Sequence, residues 1–225
     1  MINTLKKMIY QIISTEELIE DVKKKNSIFV IRGRSITRAD KIEGLQINFK
    51  GEGNIVVVFG NKNQFVNCRI DLRKDDLVVI NESKYEIRSL HISSLGERTF
   101  TWIGEDFSCS QTNMDLKDKK GICVGNDCMF SKGIYILNSD MHAILDEKGK
   151  LINPSEDVYV GNHVWIAQNV EILKGARIPN KTVVGANSVV TSKWIEDNII
   201  IAGNPATIIR RNINWNRKSP EQFEV

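Results

Sequence analysis

The chain is poor in the groups that announce a metal or redox centre. It holds three histidines, and its four cysteines, Cys68, Cys109, Cys123 and Cys128, include no C-x-x-C pair. That lends no support to a zinc or thiol-exchange site and fits a cytoplasmic protein with reduced thiols. It also lacks a long apolar run, so no segment approaches the length of a bilayer span. The opening, Met1-Ile-Asn-Thr-Leu-Lys-Lys-Met-Ile-Tyr10, has no continuous apolar stretch followed by small residues, and no secretory leader is expected. Excess charge is scarce too: a formal net charge of +3 is too small to make nucleic acid or an anionic membrane the main partner. What remains is 41% hydrophobic and 26% charged, an ordinary globular composition. At 225 residues the chain suffices for one domain with a small appendage.

The first stretch reads as helical, because Leu5, Met8, Ile9 and Ile12 recur at three- and four-residue spacing. Ser14-Thr15-Glu16-Glu17 has the form of a capping box, and a weaker stripe through Leu18 and Val22 follows it. A helical pair packed on the end of the main body is the expectation. From about Ile47 the character changes to short runs of Val, Ile and Phe separated by Gly, Asn and Asp. Such segments read as many short strands.

Those strands have a period of six. An aliphatic residue returns at Val160, Ile166, Ile172, Ile178, Val184 and Val190. Four residues after each of the first five comes something small or β-branched: Val164, Val170, Ala176, Thr182 and Ser188. Val124, Phe130 and Ile136 keep the same phase upstream, and Ile103-Gly104 with Phe107 repeats the motif before a charged interruption, Asp115 to Lys120. Neither a helix nor a single strand has this period. A solenoid with flat faces does, since each face turns one apolar residue inward and each corner takes a small one.

The run Val160-Gly-Asn-His-Val-Trp-Ile-Ala, with Val184-Gly-Ala-Asn-Ser-Val-Val-Thr191 and Ala202-Gly-Asn-Pro-Ala206, resembles the hexapeptide-repeat acyltransferases. It is most similar to the branch of polysaccharide O-acetyltransferases, galactoside acetyltransferase and the xenobiotic acetyltransferases. The resemblance implies an all-β solenoid, a left-handed parallel β-helix, here with a short helical N-terminal segment. Left-handed crossover makes that fold an exception among parallel β structures. The division expected is residues 1–45 helical or irregular, 46–211 β-helix with a protruding loop at 137–157, and 212–225 a tail. The resemblance further implies acetyl-CoA as co-substrate, no metal, a carbohydrate acceptor, and a homotrimer with sites between subunits.

Between Ile136 and Val160 the repeat is broken by a loop, where function on a rigid scaffold tends to lie. The loop carries His142. Acyl transfer to a hydroxyl needs a base, imidazole titrates in the right range, and the family places a histidine in a similar Ser-Asp-x-His loop. His142 is therefore the expected catalytic base, with Asp140 to orient the ring or hold the acceptor. His91 and His163 read as structural. Trp165, on the outer wall, matches a family tryptophan near the acyl-CoA and acceptor site. For coenzyme A the resemblance points to Trp165, Ala167, Gly185, Ala186, Thr191, Lys193 and Arg210. Arginine suits a phosphate through its forked donors and fixed charge.

The function expected is acetyl transfer from acetyl-CoA to a sugar hydroxyl of a surface polysaccharide or its precursor. The alternatives are N-acetylation of an amino sugar, O-acetylation of an antibiotic, and a non-catalytic β-helix scaffold. A metal-dependent hydratase on this solenoid would need a close histidine pair, which His91, His142 and His163 do not supply by spacing.

Overall fold

The computed structural model describes residues 2–13 and 25–223. Its body is a left-handed parallel β-helix of about seven turns with three flat sheets. From Ile55 to Val190 each coil contributes strands in the order first, second, third sheet. The first sheet stacks Ser27–Arg32, Ile55–Phe59, Leu77–Ile80, Phe100–Ile103, Gly121–Val124, Val158–Val160 and Arg177–Ile178, with Ser35–Ala39 antiparallel at its edge. The second runs from Gln64–Val66 to Ile200–Gly203 and ends in the antiparallel strand Ala206–Arg210. The third runs from Leu45–Phe49 through Cys68–Leu72, Leu90–Ser94, Thr112–Leu116 and Ile134–Leu137 to Glu171–Ile172 and Val189–Val190.

The six-residue period places the core as expected. Val160, Ile166, Ile172, Ile178, Val184 and Val190 are buried, and so are Val164, Val170, Ala176, Thr182 and Ser188. Each buried aliphatic contributes about 1.5–3 kcal/mol by leaving water, and stacking joins them into one column. Corner residues turn the chain through the left-handed region, with positive φ at Asp127, His163, Lys181, Asn169 and Asn187. Asn and Asp tolerate that region best among non-glycine residues. Glycines close other bends: a Cβ on Gly125 would lie 2.6 Å from the Gly161 carbonyl oxygen of the next coil.

The N-terminal coils are longer, and this is where the structure departs from the sequence reading. Partners in adjacent coils lie 21 to 23 residues apart there, and 28 between the first two strands of the first sheet, against 18 in the C-terminal coils. The additional residues lengthen the strands, to three to five residues in Leu77–Ile80, Glu86–Arg88 and Leu90–Ser94 against two in Trp165–Ile166, Glu171–Ile172 and Arg177–Ile178, so the six-residue phase is lost although the fold continues. Asp115 to Lys120, read as an interruption, is the end of one third-sheet strand and the corner after it. Ser27–Arg32 already pairs with Ile55–Phe59, inside the stretch expected to be helical or irregular.

The N-terminal helix spans Ile2–Ile13 and buries Ile2, Ile9 and Ile13, while Met8 is exposed. It lies along the outer side of the first sheet, against Ile55, Val57, Leu77, Val79 and Phe100, and not on the end of the body. This explains why Ile55–Phe59 and Leu77–Ile80 read as continuous apolar runs: Val56 and Val78 face the column while Val57 and Val79 face the helix. The capping box at Ser14–Glu17 and the second helical stripe from Leu18 to Lys24 lie outside the described residues.

Candidate active site

The chain leaves the third sheet after Leu137 and rejoins the first at Val158. Strand partners either side of this loop are 36 residues apart where an ordinary C-terminal coil needs 18. Buried Asn138 anchors its base, accepting from the Lys117 backbone N–H at 2.7 Å and donating to the Lys117 carbonyl at 3.1 Å. The outer part is a small hairpin in which Leu145 pairs with Leu151 around Gly149 at φ 78°. Asn153 staples the two halves together. Its amide donates to Asp140 Oδ2 at 2.8 Å and to the His142 carbonyl at 2.9 Å, and its Oδ1 accepts from Ile144 N–H at 2.7 Å.

These contacts hold the backbone of His142 and leave its side chain exposed, with no hydrogen bond from the imidazole to any described residue. The ring borders a cleft of about 520 Å³ lined also by Lys117, Lys120, Ser139, Asn153 and Ser155. Lys117 Nζ donates to the Met141 carbonyl at 2.9 Å, and Ser155 donates to Asp118 at 2.7 Å. Asp140 does not reach the imidazole. Its carboxylate pairs with Lys174 at 2.6 Å. Burial pushes this carboxyl upward, but the hydrogen bonds from Lys174 and Asn153 outweigh it and leave the group below its ordinary value.

The other two histidines are engaged elsewhere. His91 Nε2 lies 2.8 Å from Asp71 on the third sheet. His163 lies between Asp127, at 2.6 Å from Nδ1, and the ring of Trp215, stacked with centroids 4.3 Å apart. Trp215 donates from Nε1 to the His163 carbonyl at 2.7 Å. Two residues on, Arg217 donates to Asp127, Ser108 and the Asp106 and Cys128 carbonyls, with its guanidinium 4.0 Å from the Tyr85 ring centroid. The segment after the last strand is thus a clasp across the second sheet. Trp215 and Arg217 were missed in the sequence because they follow the repeat and carry no period of their own.

Trp165 stands on the second sheet, 36% exposed, with its ring 6.2 Å from that of Trp215. Ala167 follows it and donates its N–H to Val184. Gly185 lies above, where a Cβ would come 2.8 Å from the Ala202 methyl. Ala167, Gly185 and exposed Ala186 thus put small residues along the edge beside Trp165. Arg210 ends the strand Ala206–Arg210 and is exposed. Thr191 and Lys193 lie at another corner, where Lys193 pairs with Glu156 at 2.9 Å. The structure gathers Trp165, Ala167, Gly185 and Arg210 on the second sheet, while Asp140, His142 and Lys193 occupy the corner between the third and first. One chain does not bring the two groups together. Among the described residues no group of three or more His, Cys, Asp or Glu side chains is arranged for a metal ion, and no helix is long and apolar enough to cross a membrane.

A coiled scaffold of this kind with a histidine on its one long excursion defines a class, and comparison with known proteins gives it a family. No family model matches the chain. It is 36% identical over 194 residues to a polysialic acid O-acetyltransferase of Neisseria meningitidis, covering 86% of this chain and 87% of that protein. It is 34% identical over 102 residues to a galactoside O-acetyltransferase of Lactococcus lactis, covering 45% and 48% of the two chains. The crystal structure of the polysialic acid O-acetyltransferase OatWY superposes with a TM-score of 0.72 at 30% identity, over 88% of this chain and 93% of that one. The chain belongs to the hexapeptide-repeat O-acetyltransferases.

Proposed function

We propose that the protein transfers an acetyl group from acetyl-CoA to a hydroxyl of a surface polysaccharide or its precursor, with His142 as general base. The observation that carries this reading is the stapled loop, which presents an exposed imidazole at a cleft lined by both polar and apolar side chains. Relatives named for polysialic acid support a sugar polymer as acceptor, and Lys117 and Lys120 in the cleft suit acidic sugar units.

In the reaction one nitrogen of His142 takes the proton of the acceptor hydroxyl as its oxygen attacks the thioester carbonyl. Backbone N–H groups stabilise the tetrahedral oxyanion. Its collapse breaks the carbon–sulfur bond, and the imidazolium returns the proton to the departing thiolate. Direct transfer between two bound substrates needs no acyl-enzyme, and the buried cysteines, with Cys109, Cys123 and Cys128 pushed up to about 12, are unsuited to form one.

The small-residue edge at Trp165, Ala167, Gly185 and Ala186 receives the pantetheine arm, with Arg210, Thr191 and Lys193 toward the phosphates. Because Trp165, Ala167, Gly185 and Arg210 lie on a different edge of the chain from His142 and Lys193, the site is completed by a second copy, in a cytoplasmic homotrimer. The hairpin supports this: Ile144, Leu145, Leu151 and Ile152 are all exposed on it, an apolar arm that needs a partner surface.

The test is His142→Ala assayed for turnover beside acetyl-CoA binding by calorimetry. Loss of turnover with binding intact is the expected result, and turnover at the unmutated rate overturns the assignment. Absence of acetyl-CoA binding to the folded wild type would return the protein to the scaffold alternative.

A further inference from the structure

We propose that the outer surface of the third sheet is a track for an extended glycan acceptor, leading along the N-terminal coils to the His142 cleft. The proposal rests on the saccharide-acceptor reading above and adds a binding site to it.

The three sheets differ on their outer sides. The first is apolar there and covered by the N-terminal helix. The second is crossed by the clasp of Trp215 and Arg217. The third is polar, and no other described element of the chain lies over it. Register places Gln46, Arg69, His91, Asn113 and Tyr135 in one outward column, with Asn48, Asp71, Ser93 and Asp115 beside it. These are amide, guanidinium, imidazole, phenol and carboxylate groups, the set that recognises sugar hydroxyls by paired hydrogen bonds.

They are also held in place. Asp71 accepts from Asn48 at 2.9 Å, from Arg69 at 2.7 and 2.9 Å, and lies 2.8 Å from His91. Tyr135 donates to Asp115 at 2.6 Å. Side chains preset in this way lose less entropy when a ligand contacts them.

The column ends at the loop. Tyr135 lies just before the chain departs at Leu137, and the Asp115 carbonyl accepts from the N–H of Asn138 at 3.3 Å. Past the loop the same column reads Glu171 and Val189, so the recognition set is confined to the coils before His142. Successive rungs are spaced by roughly 4.8 Å, which makes the five rungs from Gln46 to Tyr135 about 19 Å long. That length accommodates several sugar rings. Lys50, Arg73 and Lys117, each directly after a strand of this sheet, border the track and suit acidic units.

The experiment compares acetyl transfer to polysialic acid of graded length and to its dimer. The proteins are wild type, His91→Ala, Asn113→Ala, the double variant, and Gln64→Ala on the second sheet as control. The track requires kcat/KM to rise with acceptor length in wild type and the long-to-dimer ratio to fall about tenfold in the double variant. Equal kcat/KM for dimer and polymer in wild type overturns the track and leaves the transfer reaction standing. A length advantage that survives both substitutions also overturns it. Transfer to neither acceptor removes the saccharide reading and the track with it. A change of oligomeric state in the variants refutes the track by marking this sheet as a contact between copies.

Discussion

Asp140 directs its carboxylate to Lys174, 2.6 Å away, and leaves the ring of His142 without a carboxylate partner. The Ser-Asp-x-His spacing suggested an aspartate that orients the imidazole; the fold uses it to fasten the loop to the following coil. Lys174 stands at the next turn of the same corner, which fixes the height of the loop on the prism.

Removing that fastener should therefore act through position and not through proton transfer. Asp140→Ala is expected to lower kcat/KM about tenfold, whereas His142→Ala should cost about 10²–10⁴-fold. The distinguishing measurement is the pH–rate profile. Asp140→Ala should keep its shape at reduced height, and a shifted acidic limb would show that Asp140 acts on the ring directly.

Acid should reveal the Asp71 cluster. Burial pushes this carboxyl up, but hydrogen bonds from Arg69, His91 and Asn48, together with the Arg69 charge, hold it well below its ordinary 3.8. A depressed folded-state value stabilises the protein above about pH 4, and that stabilisation is lost as pH falls through the folded value. Thermal melts from about pH 6 to about pH 2 should show wild type losing its advantage over Asp71→Asn only in the acid range. A constant difference across that range would contradict the linkage.

The clasp should matter for stability beyond its length. Arg217 is largely buried and pairs with Asp127 at 2.9 Å while donating to three further oxygens. Arg217→Ala leaves those acceptors underused, and a loss of about 1–3 kcal/mol in denaturant unfolding is expected. Trp215→Ala should in addition alter Trp165 fluorescence, since their rings lie 6.2 Å apart.

The hairpin arm predicts an assembly defect. Replacing Leu145 and Ile152, both more than 45% exposed, by aspartate removes no core contact of the single chain. Sedimentation should show a shift toward monomer with transfer activity lost in step. A variant that keeps both its oligomeric state and its activity would place the arm outside the interface.

The C-terminal half was legible because its information is local. An 18-residue coil contains three six-residue repeats, so inward Ile and Val recur in phase from Val160 to Val190. The phase even survives the loop, because the 36-residue separation across it is itself a multiple of six. The N-terminal coils were illegible by the same test. There the coils run to 21–23 residues with strands of three to five, and side chains buried on both faces, as in Ile55–Phe59, erase the alternation that marks a strand.

By itself the sequence determined the solenoid, its inward column and the loop that carries His142, since repeating hydrophobicity specifies a repeating structure wherever neighbours contact only neighbours. Only the tertiary structure decided the partner of Asp140, the seat of the helix on the first sheet, the clasp of Trp215 on His163, and the alignment of His91 with Asp71. Those pairs join residues separated in the chain by between 20 and more than 50 positions. No local pattern encodes them; they follow from which corners and faces the stacked coils bring into register.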